Sequence, residues 1–391
     1  MLHLLHVVPT YLPAYRYGGP IASVHGLCKA LVHQGEEVTV YTTNVDGERD
    51  SQVPINQVTI LDRVKVGYFQ CPFFRRLYWA PGLKRTLELS IASFDLLHLH
   101  SVFVWPTSMA AHIARRHKIP YVLSPRGMLV KALIRKKNFL IKSAWMTLIE
   151  RRTVEGASAI HVTSELEAEE LKKFGYKLPP VYCIPNGIDD GGERINEPES
   201  SSNKIFPDMA EPYLLFLGRV SWKKGIDLLI RAMVFIPHIN LVIAGYEEEN
   251  YQHKLLRIIS ELKLSQRIRF AGPVYGNQKS ALLKNAQALV LPSLQENFGN
   301  VVLEAMQAGC PVVVSPNVGL APMIQETGAG IVVDREPEIL GKAVQELLSN
   351  QTLLDQMKQR GPVVVRKRFD WNMIAKQMEA VYLKILNKGQ K

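Results

Sequence analysis

Leu291-Pro292-Ser293-Leu294-Gln295-Glu296-Asn297-Phe298-Gly299-Asn300-Val301-Val302-Leu303-Glu304-Ala305-Met306 is the stretch on which the reading of this 391-residue chain turns. An apolar strand ends at Pro292, a polar loop follows, and a helix opens at about Gly299 or Asn300. The first amides of such a helix lack intrahelical acceptors, and its dipole makes that end positive, so the end suits an anion. Gly299 admits close approach of a ligand. Glu296 in the loop and Glu304 on the helix are eight positions apart, a spacing that lets two carboxylates accept from different hydroxyls of one extended ligand. Taken singly, each reads as a solvated surface acid. With Leu303, Ala305 and Met306 around it the helix is largely buried, and a buried acid needs partners.

The strand–loop–helix pattern recurs on both sides of this stretch. Before it come Tyr213 to Leu217, Leu241 to Ala244 and Ile268 to Ala271; after it come Val312 to Val314 and Ile331 to Val333. Leu4 to Val8, Val38 to Thr42, Leu96 to His100, Tyr121 to Leu123 and Ala159 to Val162 form a second such series in the first half. Short apolar strands alternating with helices predict parallel sheets covered on both faces. The segment from Asn186 to Glu211 has linker composition, with Gly191-Gly192 and Ser200-Ser201-Ser202. The expected organisation is therefore α/β, with two doubly wound, Rossmann-like domains facing a central cleft. Their expected bounds are 1–190, a linker 191–211, 212–365, and a C-terminal helical segment 366–391. Ligands of such sheets sit at the carboxyl ends of the strands.

Three further stretches lie at such ends. Leu217-Gly218-Arg219-Val220-Ser221-Trp222-Lys223-Lys224-Gly225 follows a strand and precedes a helix. Arg219, a bidentate fork, and Lys224, a mobile point charge, can converge on a diphosphate; read alone, the loop is equally a solvated turn. Tyr17-Gly18-Gly19-Pro20 follows the first strand, and its glycines let backbone approach a ligand. His98 and His100, two apart on a strand, share one face. A metal pair would need a third ligand that the spacing does not identify, so His100 reaching the ligand is the preferred reading over a structural histidine. Pro125-Arg126-Gly127 places Arg126 either at an acceptor site or in a structural turn. Ser164 and Glu167 form a capping box.

Several classes are excluded. No G-x-G-x-x-G follows a predicted strand, and no P-loop, G-x-S-x-G, H-E-x-x-H or D-x-D is present, so nicotinamide, hydrolase and metal-diphosphate chemistry are not expected. No metal and no cofactor are expected. Cys28, Cys71, Cys183 and Cys310 have neither metal-ligand nor redox spacing, which suits reduced thiols in a cytoplasmic protein. The N-terminus reads as a strand rather than a signal peptide, and no run of 18 apolar residues exists.

The net charge of +11 is concentrated: from Ala111 to Arg152 eleven Lys and Arg face one acid, Glu150. Leu129 to Arg152 reads as an amphipathic helix with Lys131, Arg135, Asn138 and Lys142 on one polar, basic face and Trp145 among its apolar residues, Lys136 and Lys137 being further candidate membrane contacts. Such a helix suits a peripheral seat on the inner face of an anionic membrane, against the plainer reading of a core-facing helix with solvated lysines. No nucleic-acid motif accompanies the charge, so nucleic acid is not an expected partner.

Together these residues resemble the retaining glycosyltransferases of family 4, which have the GT-B fold. The resemblance rests on Glu296 and Glu304 followed by Ala-Met and Gly309-Cys-Pro-Val, on Gly218-Arg219 with Lys224-Gly225, on Gly18-Gly19, on His100, and on Pro185-Asn186-Gly187-Ile188-Asp189. It spans residues 3–370 or so. Asn297 stands where many members have Gly, and the linker after Asp189 is atypical. The resemblance implies metal-independent transfer from a nucleotide-diphosphate sugar (UDP- or GDP-linked) to a saccharide or lipid-linked acceptor, in polysaccharide or glycolipid assembly. It implies that Arg219 and Lys224 neutralise the diphosphate, Glu296 binds the donor sugar, and Glu304 binds the ribose. It also implies that backbone amides of Phe298, Gly299, Asn300 and Val301 hold sugar and phosphate, that Gly18 and Gly19 approach the diphosphate, and that His100 contacts the donor sugar. The rivals are a nucleotide-sugar epimerase and a membrane-associated, non-catalytic scaffold of the same fold.

Overall fold

The computed structural model of the chain describes residues 1–131, 145–189 and 211–389. The chain divides into two compact units, Met1–Gly187 with Trp371–Lys391, and Ile188–Asp370.

The first unit carries β1 (His3–Val7), β2 (Glu37–Thr43), the two-residue ladder of β3 (Val45–Asp46) and β4 (Arg49–Asp50), β5 (Val58–Leu61), β6 (Val64–Phe69), β7 (Leu96–His100), β8 (Tyr121–Ser124), β9 (Ala159–Val162) and β10 (Val181–Cys183). Its main sheet has the order β10-β9-β8-β7-β1-β2-β6-β5, parallel except for the β5–β6 hairpin at one edge. β7 is buried along its whole length, as expected of a parallel strand covered on both faces. One face packs against α1 (Gly19–His33) and α13 (Trp371–Gly389), the other against α2 (Pro81–Ser90) and α3 (Trp105–His117). α13 is integral to this core: the Trp371 ring fills the space that a Cβ on Gly26 or Gly187 would need. The expected capping box is present, with Ser164 Oγ accepting from the Glu167 amide at 3.2 Å at the start of α5 (Glu165–Lys172); α4 (Arg151–Glu155) precedes it.

The second unit carries β11 (Tyr213–Leu217), β12 (Asn240–Ala244), β13 (Ile268–Gly272), β14 (Ala288–Leu291), β15 (Val312–Val314) and β16 (Gly330–Val332), all parallel, in the order β13-β12-β11-β14-β15-β16. One apolar core runs through it. Its helices are α6 (Ile226–Ala232), α7 (Tyr251–Glu261), α8 (Gly276–Asn285), α9 (Asn300–Gln307), α10 (Ala321–Thr327), α11 (Pro337–Ser349) and α12 (Gln351–Arg368). Strand order reverses between β11 and β14, and between β1 and β7 in the first unit. A doubly wound sheet leaves a crevice at each such point, where successive helices leave for opposite faces.

Candidate functional site

In the second unit, the loops that leave the reversal point are the two singled out in the sequence. The Leu294 amide donates to the Lys223 carbonyl at 2.8 Å, so the loops after β11 and β14 are joined. Gly225 makes the contact sterically feasible. Its φ is +67°, and a Cβ there would overlap the Pro292 carbonyl. A third loop joins from β12: the Val220 amide donates to the Tyr246 carbonyl at 2.7 Å, and the Glu248 amide to the Val220 carbonyl at 3.1 Å.

This stacking brings Lys224 onto Glu296 in a direct ion pair, with side chains 15% and 18% exposed. Glu296 is itself set by main chain, its amide donating to Asn317 O at 2.9 Å and its carbonyl accepting from the Gly319 amide at 2.9 Å. Glu304 accepts from Lys279 of α8 at 3.2 Å, again with both side chains mostly shielded. Arg219 pairs with Glu248 at 2.6 Å, but these side chains are 49% and 37% exposed. An exposed pair contributes about 0–1 kcal/mol, so Arg219 exchanges its carboxylate for another anion at little cost. The shielded Lys224 and Lys279 pairs are held more firmly, because less water screens them. Phe298 is buried, its ring 6.2 Å edge-to-face from Phe369. Its side chain therefore belongs to the core, and only its backbone faces the loop. Gly299, φ +99°, opens α9, whose first turn has neither a side-chain cap nor an acid.

In the first unit, the reversal point gathers His6 of β1, His98 and His100 of β7, and His161 of β9. His98 and His100 stack at 4.2 Å between ring centroids. His6 Nδ1 lies 3.0 Å from His100 Nε2. His98 contacts the Tyr382 hydroxyl and Ser124 Oγ, each at 2.7 Å. Ser124 Oγ is 2.8 Å from His161 Nδ1, and His161 Nε2 donates to the Ile184 carbonyl at 2.8 Å. Burial, followed by the Arg126 charge, pushes His6 and His161 down to about 3. Burial first, then the neighbouring imidazoles and Arg126, holds His98 and His100 well below the ordinary imidazole range. Burial also lowers Arg126 to about 10.

His6 is the third imidazole that strand spacing did not identify; it arrives by the β1–β7 register, which sets His6 beside His98. The His6, His98 and His100 nitrogens lie within 4.8 Å of one another. Both nitrogens of His98 and of His100 are committed to hydrogen bonds, and a guanidinium nitrogen sits 3.2 Å from His100 Nδ1. The cluster therefore does not offer three free lone pairs to a cation. His100 is 1% exposed, buried rather than projecting from the strand end as expected. Gly18, φ +66°, precedes α1, and Gly19 begins its first turn rather than lying in a loop.

Arg135, Lys136, Lys137 and Lys142 of the expected membrane face lie outside the described residues. Lys131 is exposed and donates to the Lys173 carbonyl at 3.1 Å. Trp145 is half-buried, its indole N–H donating to Glu150 Oε2 at 2.8 Å. The reason is Glu150 itself, a buried carboxylate that needs donors and takes a second from the Phe103 amide at 3.1 Å. No helix among the described residues is long and apolar enough to cross a membrane.

Sequence reasoning missed Lys279, Glu248, His6 and His161. All four reach their partners across strands or helices distant in the chain. A local signal for His6 was its place inside the apolar run of β1.

Two α/β units, each with polar loops at its strand reversal and one with cations paired to glutamates at a helix start, define a GT-B type sugar-transfer scaffold. The family profile "Glycosyltransferase Family 4" matches residues 17–191, and "Glycosyl transferases group 1" matches residues 198–364. An uncharacterized glycosyltransferase of Methanocaldococcus jannaschii is 30% identical over 382 residues, covering 93% of this chain and 94% of the relative. D-inositol 3-phosphate glycosyltransferase of Xylanimonas cellulosilytica is 24% identical, covering 93% and 91%. Among solved structures, sucrose-phosphate synthase of Thermosynechococcus elongatus aligns with TM-score 0.78 at 21% identity, over 99% of this chain and 100% of that one. The Anabaena protein HepE, solved with UDP and glucose, aligns with TM-score 0.74 at 18% identity, over 98% and 100%. The chain belongs to the family 4 glycosyltransferases and has the GT-B fold.

Proposed function

We propose that this glycosyltransferase transfers a hexose from a nucleoside-diphosphate donor, with retention of configuration and without a metal, to a saccharide or lipid-linked acceptor. The observation that carries the reading is the ion pair of Lys224 with Glu296 beside the start of α9. It holds a cation where a diphosphate would lie and a carboxylate where sugar hydroxyls would lie. Arg219 and Lys224 then take the charge that develops on the leaving diphosphate, the part a metal plays elsewhere. Glu296 accepts from donor-sugar hydroxyls, and Glu304, oriented by Lys279, from the ribose. The backbone from Phe298 to Val301 lines the sugar and phosphate. Retention follows if the acceptor oxygen bonds the anomeric carbon on the face the phosphate leaves. The acceptor proton then passes to the departing phosphate oxygen, and no protein nucleophile is needed. The UDP bound by HepE makes UDP-sugars the first donors to try.

The test is nucleotide binding followed by thermal shift in the presence of a chelator, with UDP, GDP, ADP and their sugars. A single nucleotide is expected to stabilise the wild type and not Arg219→Ala. Saturation at 100 times Kd corresponds to about 2.7 kcal/mol. Glu296→Ala is expected to keep the fold and lose on the order of 100-fold in kcat. Turnover by Glu296→Ala at the wild-type rate would sink the assignment of Glu296, and a wild type that turned over none of these donors would make a scaffold the better reading.

A further inference from the structure

Arg219 and Glu248 meet because main chain laces two loops of the second unit together. The Val220 amide donates to the Tyr246 carbonyl at 2.7 Å, and the Val220 carbonyl accepts from the Glu248 amide at 3.1 Å. Val220 and Glu247 thereby form a parallel bridge beyond the ends of β11 and β12. The approach is close enough that a Cβ on Gly245, φ +145°, would overlap the Gly218 carbonyl. Glycine is needed there both for its conformation and for its size. The bridge sets Arg219 and Glu248 on neighbouring loops, and Arg219 Nη1 donates to Glu248 Oε1 at 2.6 Å. The pair is thus built by the backbone on both sides, not by two long side chains that happen to meet.

The acid is specific. Of the consecutive Glu247, Glu248 and Glu249, Glu247 turns to the Gln252 amide near the start of α7, accepting at 2.9 Å, and Glu248 is the one on the guanidinium. Among the described residues Nη1 is the one side-chain nitrogen of Arg219 with a partner. The contact is therefore monodentate, and it is open to water on both sides. An ion pair so exposed is weak and does little to fix the orientation of the arginine. Its charge nevertheless stays where an anion would arrive. A carboxylate within hydrogen-bond reach of the guanidinium competes with any other anion for it, and repels that anion if it remains bound. The shielded Lys224–Glu296 and Lys279–Glu304 pairs differ on this point, because they hold their side chains in place.

We infer that Glu248 is a displaceable counter-ion: it competes with the donor diphosphate for Arg219 and so lowers the affinity of the site for nucleotide. The inference rests on the proposed reading of Arg219 as a diphosphate ligand, and adds to it a residue that opposes binding. The use of such a residue lies in release. The nucleoside diphosphate that departs after transfer carries the same phosphates as the donor, and it has to leave before the next donor enters. Because water reaches both side chains, Glu248 takes the guanidinium back at little desolvation cost. Binding donor and product more tightly lowers KM without raising kcat, so an acid that loosens both favours turnover where release limits the rate.

UDP and inorganic pyrophosphate are the probes. Their binding to the full chain is measured by calorimetry for wild type, Glu248→Gln, Arg219→Ala and the double variant, at low salt and at about 0.5 M salt, where exposed charges are screened. Glu248→Gln is expected to bind both probes about three- to fivefold more tightly at low salt, the worth of one exposed ion pair. The gain should shrink at high salt and vanish in the Arg219→Ala background. Glu248→Ala should change affinity in the same direction, and serves if the glutamine variant does not fold. Unchanged or weaker binding by Glu248→Gln overturns the inference, since a residue that only orients Arg219 would weaken binding when removed. A gain that persists without Arg219, or that salt does not reduce, also overturns it. A wild type that binds pyrophosphate but no nucleotide removes the transferase reading and leaves Glu248 to be judged on pyrophosphate alone. A wild type that binds neither overturns both.

Discussion

At the scale of single residues, the carboxylates and cations of the candidate site in the second unit come in matched pairs, and the pairs differ in strength because they differ in exposure. Lys224 with Glu296 and Lys279 with Glu304 are shielded. Arg219 with Glu248 is open to water. Lys279 touches no reacting atom in the proposed reaction; it orients Glu304. Lys279→Met should therefore raise KM for the donor severalfold and leave kcat nearly unchanged, the signature of lost ground-state binding. An equal loss in both would show that Lys279 acts on the transition state. Glu304 and Lys224 were legible in the sequence because each sits at a fixed place in a strand–loop–helix unit. Lys279 was not, since it lies 25 residues from Glu304 on another helix, and nothing local distinguishes it from any surface lysine.

At the scale of elements, the site depends on how closely three loops stack beyond β11, β12 and β14. Gly225 is the tightest point, with positive φ and the Pro292 carbonyl where its side chain would be. Gly225→Ala should cost at least about 1–3 kcal/mol from backbone strain alone, and should weaken UDP binding by displacing Lys224. Urea unfolding and calorimetry on the same protein check both parts. A variant with wild-type stability and affinity would mean that the loops can separate without consequence. The helix start at Asn300 and the capping of α5 by Ser164 followed from local chemistry. The burial of His100 did not, because it depends on partners supplied by a distant strand and loop.

At the scale of the whole molecule, the two units share an architecture but differ in what fills their interiors. The second has an apolar core. The first has four neutral imidazoles between its sheet and the helices α1 and α13. In the folded chain these groups stay unprotonated well below the ordinary imidazole value of about 6.5, with His6 and His161 near 3. In the unfolded chain they protonate near that ordinary value. Their folded pKa values are depressed, so their contribution to stability is intact above pH ~6.5 and is lost as pH falls from there towards 3. Each fully titrating group adds a slope of about 1.4 kcal/mol per pH unit. Urea unfolding of the first unit between neutral and mildly acidic pH should show this steep loss, and His6→Asn should reduce the slope by about one group. Parallel profiles for the two proteins would mean that His6 is already charged in the fold.

Local sequence was enough for the two parallel α/β halves, the loops at their strand ends and the charged residue types that gather there. Each of those follows from short-range periodicity, capping and turn chemistry. Which charges are neutralised depends on contacts between segments far apart in the chain. Among the described residues, Lys224 received a carboxylate and Arg126 received none; His100 received two partners and His6 one. Parallel strands place residues side by side that are 60 to 90 or more positions apart, as with His6 and His100 or Arg126 and Asn186. Electrostatic balance in a buried site is a sum over such neighbours, and no window of sequence contains them.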